Sequence, residues 1–161
     1  MVLLVGNTPV LGQDVAGPRP KKARTASDYT PRTWEEIANS FDFSVADGTE
    51  ILTGNLFPSR LRVTYRGSTR PLSQARKDVI FHWAQRYAGA PSHYTKQYET
   101  EVLFNEKDAG HWLVVKKNLL PRFEKEVRDG AAVDLYLIRL GAIRVDEKWE
   151  PVLLVESFAK P

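Results

Sequence analysis

Apolar positions recur along this chain in two periods, and together they predict a sheet-rich domain with short helices. Thr33 followed by Glu36 is a capping-box pattern, after which Trp34, Ile37, Ala38 and Phe41 fall on one helical face. Two strand-like segments follow at 50–57 and 60–66, parted by Pro58 and Ser59. In the second, Leu61, Val63 and Tyr65 alternate with Arg60, Arg62, Thr64 and Arg66, so one face is apolar and the other basic. Ser73 is placed to cap a longer helix reaching Tyr87, with Gly89 as its stop. Its buried stripe is Val79, Ile80, Trp83, Ala84 and Tyr87.

The stretch QYETEVLFNEKDAGHWLVVKK reads as a hairpin. A loop over 106–110 that sets Asn105 opposite His111 gathers Tyr98, Val102 and Phe104 on one face with Trp112 and Val114. The same register pairs Glu99 with Lys117 on the other face. Pro121 suits the start of a helix with Leu120, Phe123 and Val127 on its inner side, ending before Gly130. The runs VDLYLIRLGAI and VLLVESF are apolar on both faces, as central strands are. A turn around 146–149 that sets Val145 opposite Glu150 brings Arg139 opposite Glu156, a structural ion pair inside the sheet. Gly141 marks a bulge or bend.

This order of elements, with its short connections, predicts an α+β fold built on a mainly antiparallel curled sheet. Its closing part resembles the small barrel of the oligonucleotide- and oligosaccharide-binding (OB) architecture, with two to three packed helices. The expected core includes Trp83, Phe104, Trp112, Leu135, Leu137, Leu154 and Phe158. At 161 residues and 42% hydrophobic, the chain can bury such a core without disulfides or a structural metal. The expected division is a truncated signal-peptide remnant at 1–12, a disordered linker at 13–32 and one globular domain at 33–161. The first rests on Val10, Leu11 and Gly12 before Gln13, which resemble a cleavage site. The second rests on a composition rich in Pro, Lys, Arg, Ser and Thr.

Charge changes the picture because it is unevenly spread. The net charge is +3, yet 58–77 holds six cations and no acid, while 33–57 with 78–161 has an acidic excess of six. Arg60, Arg62, Arg66, Arg70, Arg76 and Lys77 therefore form a basic band, the candidate site for an anionic ligand that guanidiniums grip bidentately. Tyr65 falls on the opposite face, which deprives the band of a base-stacking platform. The acidic remainder offers these cations intramolecular partners, and that solvated or paired state is the favoured expectation.

Candidate catalysis is sparse. The absence of cysteine removes thiol nucleophiles and thiolate zinc sites. His82, His93 and His111 have no ligand spacing, so no metal is expected, and no cofactor loop of the GxGxxG or P-loop type occurs. There is no GxSxG, and Glu99 with Glu101 reads as a solvated strand face. No run approaches the roughly 20 apolar residues of a membrane span. These readings converge on a non-catalytic, exported (periplasmic or secreted) β-rich binding or structural module. The alternative is an intracellular OB-like binder of nucleic acid or another anion, using the 60–77 band.

Overall fold

The computed structural model describes residues 22–43 and 48–161. Its strands are β1 (Thr30–Pro31), β2 (Glu50–Leu52), β3 (Ser59–Pro71), β4 (Thr100–Glu106), β5 (Ala109–Val115), β6 (Ala132–Val145) and β7 (Lys148–Ala159). The helices are α1 (Trp34–Ala38), α2 (Gln74–Trp83), α3 (Pro91–Gln97) and α4 (Leu120–Glu126). The sheet runs β1-β3-β4-β5-β7-β6-β2, and an additional β3–β6 pairing closes β3, β4, β5, β7 and β6 into a five-stranded barrel. All its pairings are antiparallel except β5 with β7, so the α+β small barrel is present and mixed.

The barrel interior follows from period-two alternation. Leu61, Val63, Tyr65, Val102, Phe104, Leu113, Val115, Val133, Leu135, Leu137, Leu153 and Val155 pack together inside. Ile37 of α1 and Phe123 of α4 join this cluster, and the Phe123 ring stacks 4.0 Å from that of Phe158. A second cluster lies outside the barrel. There Val79, Ile80 and Trp83 of α2 cover Val114, Ile138, Leu140, Val152 and Leu154. The strands β6 and β7 are thus apolar on both faces because both faces are covered.

Local caps match their residues. Thr33 accepts from the Glu36 amide while the Glu36 carboxylate accepts from the Thr33 amide, and Ser73 accepts from the Arg76 amide. The α2 segment continues as a π-turn over Ala84–Ala88 and stops at Gly89 with φ of 66°. Helix α3 starts with Pro91 in its first turn.

Several expectations are corrected. The tether expected at 13–32 is ordered where it is described: Ala26–Asp28 forms a 3₁₀ turn, β1 pairs parallel with β3, and Tyr29 is buried. Residues 1–21, including the signal-like stretch, lie outside the described residues. The β4–β5 hairpin turns through Lys107 and Asp108 alone, so Asn105 faces Gly110 and Phe104 faces His111. That one-residue slip turns Leu113 and Val115 inward and sets Trp112 outward, partly exposed. Similarly, β6 and β7 join through Asp146 and Glu147, both left-handed (φ 47° and 65°), as a tight hairpin turn requires. Val145 therefore faces Lys148 rather than Glu150.

Gly141 does mark a register shift, between Arg139 and Gly141, and the reason is a close approach by β2. A Cβ at Gly141 would lie 1.9 Å from the Ile51 carbonyl oxygen. Gly141→Ala should therefore destabilise the protein by about 1–3 kcal/mol through overpacking against backbone. Urea unfolding measures this; an unchanged midpoint would mean that β2 does not rest on β6.

Candidate ligand sites on the barrel

The structure uses most of the basic band internally. Arg62 donates from Nε and Nη2 to Asp134 at 2.8 and 3.0 Å. Those hydrogen bonds, with the charges of Arg62 and Arg60, hold the Asp134 carboxyl below its ordinary pKa against the opposing effect of burial. Arg66 lies 3.6 Å from Asp129 in an exposed pair. Glu101, only 1% exposed, accepts from Arg70 Nε at 2.7 Å. Its other oxygen is 2.9 Å from Arg76 Nε, an ionic contact whose alignment falls short of a hydrogen bond. Arg76 also pairs with Glu150. One buried carboxylate thus joins β3 and β4 to α2, and Arg76 extends the tie to β7. Glu101 is therefore no solvated partner of Glu99, which instead contacts Lys117 at 3.4 Å. Among the described residues, Arg60 and Lys77 are the band members whose side chains make no hydrogen bond or ion pair.

The band does meet an aromatic, one the sequence reading placed in the core. Arg70 lies 4.3 Å over the ring of Trp112, a cation–π contact on the outer face of the barrel.

The expected Arg139–Glu156 pair does not form. The two-residue turn and the bulge before Gly141 together put Arg139 opposite Leu153, and Glu156 instead receives Arg24 Nε and Nη2 at 3.1 Å each and the Tyr29 hydroxyl at 2.5 Å. Burial first, then the Glu156 carboxylate, raises the Tyr29 pKa; burial likewise raises that of neighbouring Tyr98. Arg139 binds only backbone and hydroxyl oxygens, donating from Nη1 to Ser40 O and Oγ at 2.8 and 2.6 Å and from Nη2 to Asn55 O at 3.3 Å. The signal for this arrangement was weak, because Ser40 lies 99 residues away in the chain.

Two concavities flank these ties. A notch of about 380 Å³ lies beside Arg32, Glu36, Arg60 and the Arg62–Asp134 pair. A larger groove of about 660 Å³ runs between α2, α3 and the start of β4. Ile80, Tyr98 and Pro71 line it with Phe81, whose ring is unusually open at 41% exposed, and Lys77 and Thr95 add polar groups. Lys77 is the one residue shared by the groove and the sequence-derived band.

Each histidine has a neighbour in the fold. His111 stacks 3.8 Å from Trp34, and burial lowers its pKa against the opposing Glu106 charge. The Glu106 carboxylate itself caps the Trp34 amide at 3.0 Å. His82 hydrogen-bonds Glu50 at 2.9 Å, and His93 lies beside Gln97 on α3. Among the described residues, no group of three or more His, Cys, Asp or Glu side chains is placed to hold a metal. Among them also, no helix is long and apolar enough to cross a membrane. In comparisons with known proteins, the chain matches no protein family, no curated sequence and no solved structure.

Two substitutions separate buried from exposed ties. Glu101→Gln should cost about 3–5 kcal/mol, because it leaves guanidiniums facing a dry site without their charge. Arg62 is 65% exposed at its side chain but its partner Asp134 is buried, so Arg62→Ser should lower the melting temperature at pH 7, by less than Glu101→Gln does. The depressed Asp134 pKa makes this contribution present above the ordinary carboxylate range and lost as pH falls through the folded value. Melts from pH 7 to pH 2 test both; a large Arg62→Ser loss persisting at low pH would contradict the assignment.

Proposed function

We propose that this protein is a non-catalytic binding module whose ligand seat is the groove between α2, α3 and β4. The observation that carries this reading is the groove itself: about 660 Å³, an apolar lining in which Phe81 and Pro71 are exposed, and an amine at Lys77 with no side-chain partner among the described residues. Ligand sites are commonly concavities of this size with apolar walls and a few placed polar groups. Lys77 gives the ligand its chemistry: an amphipathic molecule with an acidic group for the amine and an apolar body for Phe81 and Pro71. Among the described residues, Asp78 accepts from Gln74 at 2.8 Å and Glu99 contacts Lys117 at 3.4 Å, which leaves Lys77 as the charged group of the groove whose side chain has no polar partner. The nucleic-acid reading is not favoured, since Arg62, Arg66, Arg70 and Arg76 are engaged by Asp134, Asp129, Glu101 and Glu150.

Laurate, an amphipathic carboxylate, is a direct probe. Titration should shift amide resonances of α2, α3 and 98–100 saturably, and Lys77→Glu should weaken the affinity about tenfold, as loss of a charged hydrogen bond does. Shifts scattered over the surface, or equal affinity in Lys77→Glu and Phe81→Ser, would sink the reading. Export belongs to the same proposal and rests on the Val10, Leu11, Gly12 pattern. Intact mass of the native protein should show an exported species beginning at Gln13; a species confined to the cytoplasm and retaining 1–12 would refute export.

A further inference from the structure

Arg139 is the most unusual charge in the molecule. Its side chain follows Val133, Leu135 and Leu137 on the inward-facing positions of β6, two residues beyond Leu137, the last residue paired with β3. It therefore stands at the rim of the barrel, where its amide already bonds the Leu56 carbonyl at 2.7 Å. The residue is 6% exposed, and among the described residues no carboxylate is recorded in an ion pair with it. Its Nε is buried and has no hydrogen-bond partner, and Nη2 makes a single long bond. The rings of Phe41 and Phe57 lie 4.7 and 4.8 Å from the guanidinium carbon.

A second cation shares this site. Arg32 lies 3.7 Å over the Phe57 ring and donates from Nη1 to Pro58 O and Ser59 Oγ. Two guanidiniums thus flank one phenyl ring with neutral oxygens as their hydrogen-bond partners. Their mutual repulsion adds to the desolvation of Arg139 in disfavouring its charge. Phe57 is itself left-handed (φ 46°), a conformation costly for a bulky residue. It is held there by Asn55 Oδ1, which accepts from its amide, and by Ser59 Oγ, which donates to its carbonyl. The loop therefore maintains a strained phenyl between two cations.

We propose that this rim is a binding site for a small oxyanion, a carboxylate or phosphate group. Buried charges are ordinarily paired, and an unsatisfied buried donor calls for a missing partner. The Nε–Nη2 edge is the one on which a guanidinium grips an oxyanion side-on with two parallel bonds. Arg32 supplies the second positive charge. Phe41 and Phe57, whose rings lie against this guanidinium, are half-buried and belong to no strand, so the cover over it is loop. Barrel mouths are a common location for such sites. The site is separate from the α2–α3 groove and does not depend on it.

The test is side-chain nitrogen NMR of the full chain, titrated with inorganic phosphate and, separately, with acetate, ionic strength being held constant with chloride. At least one anion should move the Arg139 Nε–H resonance saturably and raise the melting temperature. Arg32→Gln should then weaken that anion about tenfold, and the anion that saturates names the ligand class. An Arg139 resonance unmoved by both anions, or moved equally by chloride, overturns the proposal. Arg139→Gln should abolish the anion-dependent rise in melting temperature; if that variant does not fold, the wild-type resonance decides alone.

Discussion

Two-sided burial of the β6–β7 ladder is the constraint on which the rest of this molecule depends. The inward residues of these strands need a closed barrel, which β3, β4 and β5 provide. Their outward residues need a second cover, which α2 provides through Val79, Ile80 and Trp83. The insertion between β3 and β4 is therefore structural before it is anything else. Its outer edge, where α2 parts from α3, is what leaves a groove at Phe81. Gly141 belongs to the same constraint, since only a missing Cβ lets the short strand β2 lie against β6.

Charge is organised by depth. On β3, exposed Arg66 meets exposed Asp129, a tie of small individual value, while exposed Arg62 reaches over the buried Asp134. Deeper in, Glu101 gathers Arg70 and Arg76, holding the helical insertion to the barrel wall at a point where neither partner can be removed cheaply. Arg139 departs from this pattern. It is as buried as the paired ions, yet its partners are carbonyls, a hydroxyl and aromatic rings. The contrast between a consumed basic band and an unconsumed buried arginine shifts attention from the face of β3 to the rim of the barrel.

The N-terminal approach to the domain is part of the fold as well. Arg24 and Tyr29 converge on Glu156, so the segment expected to be a tether is fastened to the last strand. Composition pointed to disorder because it counts apolar residues and cannot register three directed polar contacts to a site 127 to 132 residues away.

Local chemistry was legible in the chain. The Thr33 and Ser73 caps, the stop at Gly89, the bulge at Gly141 and the two-sided character of β6 and β7 all follow from residues within a few positions of one another. So did the α+β small barrel, because alternation and short connections limit the arrangements available. Of the candidate sites, the basic band and Lys77 could be named, but not which cations would remain unpaired. That was decided by register. Turns of two residues rather than longer loops slipped both hairpins: one residue in β4–β5, which reverses every side chain and sent Trp112 outward, and two residues in β6–β7, which together with the bulge before Gly141 separated Arg139 from Glu156. The groove depends on how α2 packs beside α3 within one stretch of chain, 71–100, and the rim on tertiary structure that brings Ser40, Phe57 and Arg139 together from distant parts of the chain.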